Sequence, residues 1–295
     1  MRATTATVPL LLALAGCAEV LDIPEDPALV GRWRCLADEA PIPPPPASTA
    51  TVQVQACNFI DNCATTVTGL NARLCAQRNV GCTNPLAVGI VDVAGDGLLT
   101  FEVPTTASGG FNGYLEVTSS TALCTDAQFG SFGPMLCGLS PGCDPAAPDE
   151  RCRAPVFARA MLFFNPAIHE STAAPLQLPL IPSAEIPAML TAAGAELDPS
   201  TGNLFITALD CDGIPAPGVT YGIAEHQESV TQLYMHGGLP NKTDLVTDES
   251  GVGGFLGVPG GFANVTGYNE NLDVVGVIGV QTAPFTMTYT AIAPF

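Results

Sequence analysis

Eleven cysteines stand in a chain of 295 residues, and no two of them have the CxxC spacing of a zinc knuckle. The N-terminus fixes the redox space they meet. Arg2 supplies a positive leader, and residues 8–15 (VPLLLALA) form an apolar run far shorter than the ~20 residues a membrane-spanning helix needs. This is an export signal. The ten cysteines beyond it, Cys35, Cys57, Cys63, Cys75, Cys82, Cys124, Cys137, Cys143, Cys152 and Cys211, therefore enter an oxidising compartment and are disulfide candidates. Cys124, Cys137, Cys143 and Cys152 share a Gly/Pro/Asp-rich stretch, so they are expected to pair among themselves, with three connectivities open. A bridge from Cys211 to one of the five earlier cysteines would then pair all ten.

Sulfur crosslinks suit a chain built from short strands and turns. Charged residues are 13% of the total, while 30 glycines and 27 prolines interrupt any long helix. Segments alternating apolar and polar residues read as strands: 51–57 (TVQVQAC), 70–76, 86–93, 98–104, 111–117, 153–164, 203–209, 229–235, 243–247 (TDLVT), 261–268, 274–280 and 284–290. The fold class expected is mainly β: two tandem Greek-key β-sandwich domains stapled by disulfides. The divisions are 1–17 signal, 18–30 tether, 31–165 first domain with a cysteine-rich loop at 119–155, 166–195 linker with a short helix, and 196–295 second domain. An acidic glycine turn leading to Val103-Pro104 and then GGFNGY echoes one leading to Val258-Pro259 and then GGFANVTGY, a weak internal repeat.

Two resemblances follow. Leu14, Ala15, Gly16 and Cys17 resemble the lipobox of bacterial lipoproteins. That implies lipidation of Cys17 as the first mature residue, with several acyl chains giving durable anchoring, and Ala18 in the next position points to the outer membrane. The run DCDGIPAPGV (210–219), followed by Thr247, Asp248 and Gly251 and a strand ending Val258-Pro259, resembles the carboxypeptidase regulatory-like domains of the transthyretin-like (prealbumin) fold over roughly the last third of the chain. This resemblance implies a sandwich but no single activity.

Catalytic and metal motifs fare poorly. GLSPG (138–142) fits the serine-hydrolase elbow pattern, yet its oxyanion hole needs the N–H of the residue after the serine, and Pro141 has none. His169-Glu170 lacks the second histidine of a zincin, and His226 and His236 have no partner at ligand spacing, so all three histidines read as solvated or capping. Asp210 with Asp212, and Asp92 with Asp96, read as turn residues rather than calcium ligands. The lone tryptophan, Trp33, reads as core beside a disulfide. No cofactor is implied. A net charge of −19 with a single lysine, Lys242, excludes a phosphate-binding patch and with it nucleic acid. What remains is an exported, lipid-anchored envelope protein on the periplasmic or cell-surface face of the outer membrane. It holds the membrane through Cys17 and acts as a structural or binding module for a glycan, peptide or envelope protein. The alternative class is a hydrolase with a site at the domain interface.

Overall fold

The computed structural model describes residues 31–36, 49–61, 63–91, 96–105, 110–138, 140, 142–196, 198–236 and 239–294. The expected export signal, Cys17, the tether 18–30, the proline run 41–46 and Asp92 lie outside them.

The period-two segments become strands. The first half contains β1 (Thr49–Asn58), β2 (Leu70–Ala76), β3 (Ala87–Val91), β4 (Leu98–Pro104), β5 (Gly113–Ser119), β6 (Thr121–Leu123), β7 (Arg153–Pro155), β8 (Arg159–Phe163) and β9 (Leu176–Leu180). The second contains β10 (Thr201–Ala208), β11 (Thr220–Ile223), β12 (Thr231–His236), β13 (Leu239–Asn241), β14 (Val252–Pro259), β15 (Gly261–Tyr268), β16 (Val274–Thr282) and β17 (Thr286–Ile292). Along β1, Ala50, Val52, Val54 and Ala56 are buried while Thr51, Gln53 and Gln55 between them are half-exposed, which is the strand period written in burial.

Four strand pairings recur in the two halves. β1 pairs antiparallel with β4 and parallel with β9, just as β10 pairs antiparallel with β14 and parallel with β17. β2–β5 and β5–β8 are antiparallel, matched by β11–β15 and β15–β16. The sequence echo lands on equivalent strands: its two Val-Pro ends close β4 and β14, and its GGF segments lead into β5 and β15. Each half is thus a two-layer β-sandwich of the same plan. They differ at their margins: β3 joins β2 in the first half, which also carries the separate pair β6–β7, whereas β12, with β13 beside it, joins β14 in the second.

The halves fuse edge to edge. β8, terminal in one layer of the first half, pairs parallel with β17, terminal in a layer of the second. The result is a nine-stranded sheet in the order β13-β12-β14-β10-β17-β8-β5-β2-β3, flanked by the three-stranded sheets β4-β1-β9 and β11-β15-β16. Because side chains alternate across a strand, the long sheet feeds two cores. Leu74, Leu115, Phe205, Leu233 and Met287 join one, with the β4-β1-β9 sheet and the helix Ile186–Ala192. Tyr114, Met161, Phe163, Leu204, Ile206 and Phe255 join the other, with the β11-β15-β16 sheet. In the second core the Tyr114 and Phe163 rings stack 4.8 Å apart, and burial raises the Tyr114 phenol above its ordinary pKa while its hydroxyl donates to the Asn79 carbonyl.

Three segments depart from the sequence reading. Residues 153–164 do not form one strand: Pro155 ends β7, and the chain then bonds residues 181–183 through Ala158 N–H to Ile181 O and Ser183 N–H to Val156 O before β8 begins. The stretch 166–195, read as linker and helix, also carries β9. Its leucines 176, 178 and 180 keep period two, and Pro179 between them disguised it as loop. TDLVT (243–247) is no strand, since Leu245 is 79% exposed and Thr247 is held instead by the Val219 and Ala216 carbonyls.

Among the described residues all ten cysteines pair: Cys35–Cys211, Cys57–Cys63, Cys75–Cys82, Cys124–Cys137 and Cys143–Cys152, with Cα separations of 4.8 to 5.8 Å. The cysteine-rich loop resolves its three options as two successive bridges. They close around the helix Gly133–Cys137, and the Cys124 N–H donates to the Cys152 carbonyl. Cys35–Cys211 spans 176 residues and pins Trp33, 6% exposed, into the second core.

Candidate functional site: a groove beside the β9 edge

On one face the two layers part. The sheet β4-β1-β9 stops at β9, while the long sheet beneath it runs on through β8, β17 and β10. The two layers touch where Phe157 bridges Pro182, then diverge. Between them lies a groove of about 1390 Å³. Its floor carries Leu162, Phe205, Met235, Val252 and Tyr289, one wall is the outer side of β9, and the rim is the loop 165–173.

The rim is tied down from several sides. Thr51 N–H donates to Ser171 Oγ at 2.9 Å and Gln53 N–H to Thr172 Oγ1 at 3.0 Å. Asn165 Nδ2 donates to the Ala291 carbonyl at 2.7 Å, and Phe111 exchanges backbone bonds with Ile168. The floor is aromatic, with Phe205 and Tyr289 stacked 5.6 Å apart. The Tyr289 hydroxyl is buried, and no hydrogen-bond partner meets it among the described residues. Burial raises the phenol far above its ordinary pKa, so it stays protonated and a donor. His169 on the rim has a buried Nδ1, likewise without a partner among the described residues. The residue as a whole is half-exposed, and an isolated His-Glu pair gives no sequence signal for a buried Nδ1.

Among the described residues His169 and Glu170 are the only ionisable side chains on the walls apart from Tyr289. In a chain with 28 acidic residues, that is a nearly uncharged surface. Among the described residues no hydrogen bond joins His169 or Glu170 to a hydroxyl, and the Ser171 and Thr172 hydroxyls accept from backbone amides.

The other candidates resolve as scaffold. Ser140 of the GLSPG run bonds the backbone of Arg153. Asp210 Oδ1 accepts from Asp212 and Ile214 N–H, and Asp96 from Leu98 N–H, both turn roles. His236 is 73% exposed, 3.4 Å from Asp244, and His226 takes a left-handed turn with φ 62°. Sulfurs of Cys124, Cys143 and Cys152 lie within 4.8 Å of one another, but each belongs to a disulfide and is no free thiolate. Glu116, 2% exposed, receives Arg73 at 2.8 Å and Arg159 at 2.9 Å, an ion cluster across β2, β5 and β8 that offsets the cost of burying its charge. No helix is long and apolar enough to cross a membrane among the described residues.

No protein-family model matches this chain, and neither does any curated protein. Among solved structures it overlaps the Bacillus anthracis TIE protein at 10% identity and a TM-score of 0.24, over 83% of this chain and 34% of that one. It overlaps the shaft pilin spaA from Lactobacillus rhamnosus GG at 10% and 0.22, over 84% and 98%. For a streptococcal ancillary pilin the values are 13% and 0.21, over 83% and 68%. The chain spans about a third of the length of the Bacillus anthracis protein. Overlap that loose assigns neither fold nor role.

Proposed function

We propose that this chain is an exported, non-catalytic protein of the bacterial envelope, anchored through lipid on Cys17 and carrying a carboxypeptidase regulatory-like sandwich in its last third, and that it presents the groove beside β9 as a binding site. The observation that carries the reading is the groove's lining: wide, apolar and nearly uncharged. Its volume exceeds the ~300–1,000 Å³ of ordinary small-molecule pockets, which favours an elongated ligand.

Thr207 lines the floor, and Thr207→Trp would fill it. The soluble form from residue 18, tested on peptide and oligosaccharide arrays, is expected to show saturable binding that this variant weakens at least tenfold at unchanged thermal midpoint. A panel of fluorogenic ester, glycoside and peptide substrates is expected to be left intact. Turnover of any of them, abolished by the same substitution, would make the hydrolase reading the right one. Labelled palmitate is expected to enter the full chain in cells and to be absent from Cys17→Ala.

A further inference from the structure

We infer that the groove's occupant is an extended, uncharged, largely apolar polypeptide segment that adds to β9 as an extra strand. The inference rests on the binding-module reading and names its ligand class.

The first support is the repeat itself. β9 and β17 are equivalent strands, each parallel to the first strand of its half. The outer edge of β17 is covered by β8, four of whose residues, Arg159 to Leu162, pair with Thr286 to Tyr289. The corresponding edge of β9 is the end of its sheet among the described residues. The molecule thus shows, on its own second copy of the plan, what such an edge takes: another strand.

The second support is the direction of the backbone groups. The Leu180 carbonyl accepts from Phe59 N–H on the β1 side, and the Ile181 carbonyl accepts from Ala158 N–H on the opposite side. Backbone groups alternate along a strand, so Gln177 and Pro179 turn theirs away from β1. Both residues line the groove. Gln177 therefore offers an N–H and a carbonyl, and Pro179 a carbonyl, to whatever lies there.

The third support is the floor beneath. A strand laid beside β9 would rest on Phe205, Tyr289, Met235 and Val252, and the buried Tyr289 hydroxyl, without a partner among the described residues, would reach an acceptor there by a small shift of its ring. A backbone carbonyl supplies one. Strand addition uses these resources together: main-chain bonds to the edge and pockets for alternate side chains. An acyl chain would leave the edge amide and the phenol unmet, and a glycan would find few polar partners on an apolar floor.

The test uses the soluble form from residue 18 and a library of fluorescein-labelled eight-residue peptides without charge, alternating Leu, Val or Phe with Thr, Asn or Gln. At least one is expected to bind with micromolar affinity by fluorescence anisotropy. Tyr289→Phe removes only a hydroxyl that has no partner among the described residues, so it leaves folding intact and is expected to weaken binding about five- to tenfold. Gln177→Pro deletes the edge N–H without touching the β1 pairing and is expected to weaken it at least tenfold. Absence of any peptide binding, or binding indifferent to both substitutions, overturns the inference. Binding of palmitate or of an oligosaccharide in its place, lost in Thr207→Trp, overturns the peptide assignment and leaves the binding-module reading standing; no binding by any of the three overturns both.

Discussion

Replacing Cys35 and Cys211 together by serine is expected to lower stability by about 3–5 kcal/mol, the largest loss among the five bridges. In the loop-entropy account a crosslink stabilises by shrinking the unfolded ensemble, more so for longer loops. Cys35–Cys211 joins residues 176 apart, against 6 for Cys57–Cys63 and 13 for Cys124–Cys137. Local contacts follow the bridge: Cys211 N–H bonds the Arg32 carbonyl at 3.2 Å, Arg34 pairs with Asp212, and Trp33 sits in the second core. Releasing the bridge frees that group to swing out. Urea titration of the double variant beside a Cys57→Ser, Cys63→Ser control, expected to lose only about 2 kcal/mol, measures the difference. Equal losses in the two would show that loop length does not govern stability here.

Gly251→Ala is expected to cost about 2–5 kcal/mol. The residue has φ 66°, a left-handed conformation that costs a side chain about 1–2 kcal/mol. A Cβ there would also stand 2.6 Å from the Ala208 carbonyl oxygen and 2.9 Å from the Ala216 nitrogen, both backbone atoms that cannot swing aside. Its own carbonyl accepts from Ala208 N–H and from the Tyr221 hydroxyl at 2.9 Å, so movement would disturb β10 and the second core together. Gly213 makes the contrast. Its φ is 74°, but nothing lies within 4 Å of a Cβ, so Gly213→Ala is expected to lose only about 1 kcal/mol. Chemical denaturation of both variants decides it: a Gly251→Ala loss no larger than that of Gly213→Ala would refute the steric argument.

Gly251 and Gly213 also mark how far the sequence could be read. Both acidic glycine turns were legible because turn chemistry is local: a carboxylate capping nearby amides and a glycine accepting positive φ. Strands such as β1, β2 and β4 were legible for the same reason, since alternation is written in neighbouring residues. β9 was not, because its three leucines are separated by Gln177 and Pro179 and its burial depends on β1, more than 110 residues away in sequence. The β8–β17 junction left no local trace either. RAMLF and TMTYTAI look like two ordinary strands, and nothing in either announces that they meet. The groove inherits this opacity. Its floor and wall come from β8, β9, β10, β12, β14 and β17, and the Tyr289 hydroxyl and His169 Nδ1, without partners among the described residues, are statements about neighbours that a sequence does not contain.

The strand at the middle of the long sheet has a consequence for assembly in time. β17 lies between β10 and β8, so residues 286–292 close a layer whose other members were synthesised up to more than two hundred residues earlier. Chains dominated by such distant pairings fold slowly. A polypeptide emerging N-terminus first would hold open strands on both sides of that slot until β17 arrived, and escorts that shield bare edges would have their greatest effect in that interval.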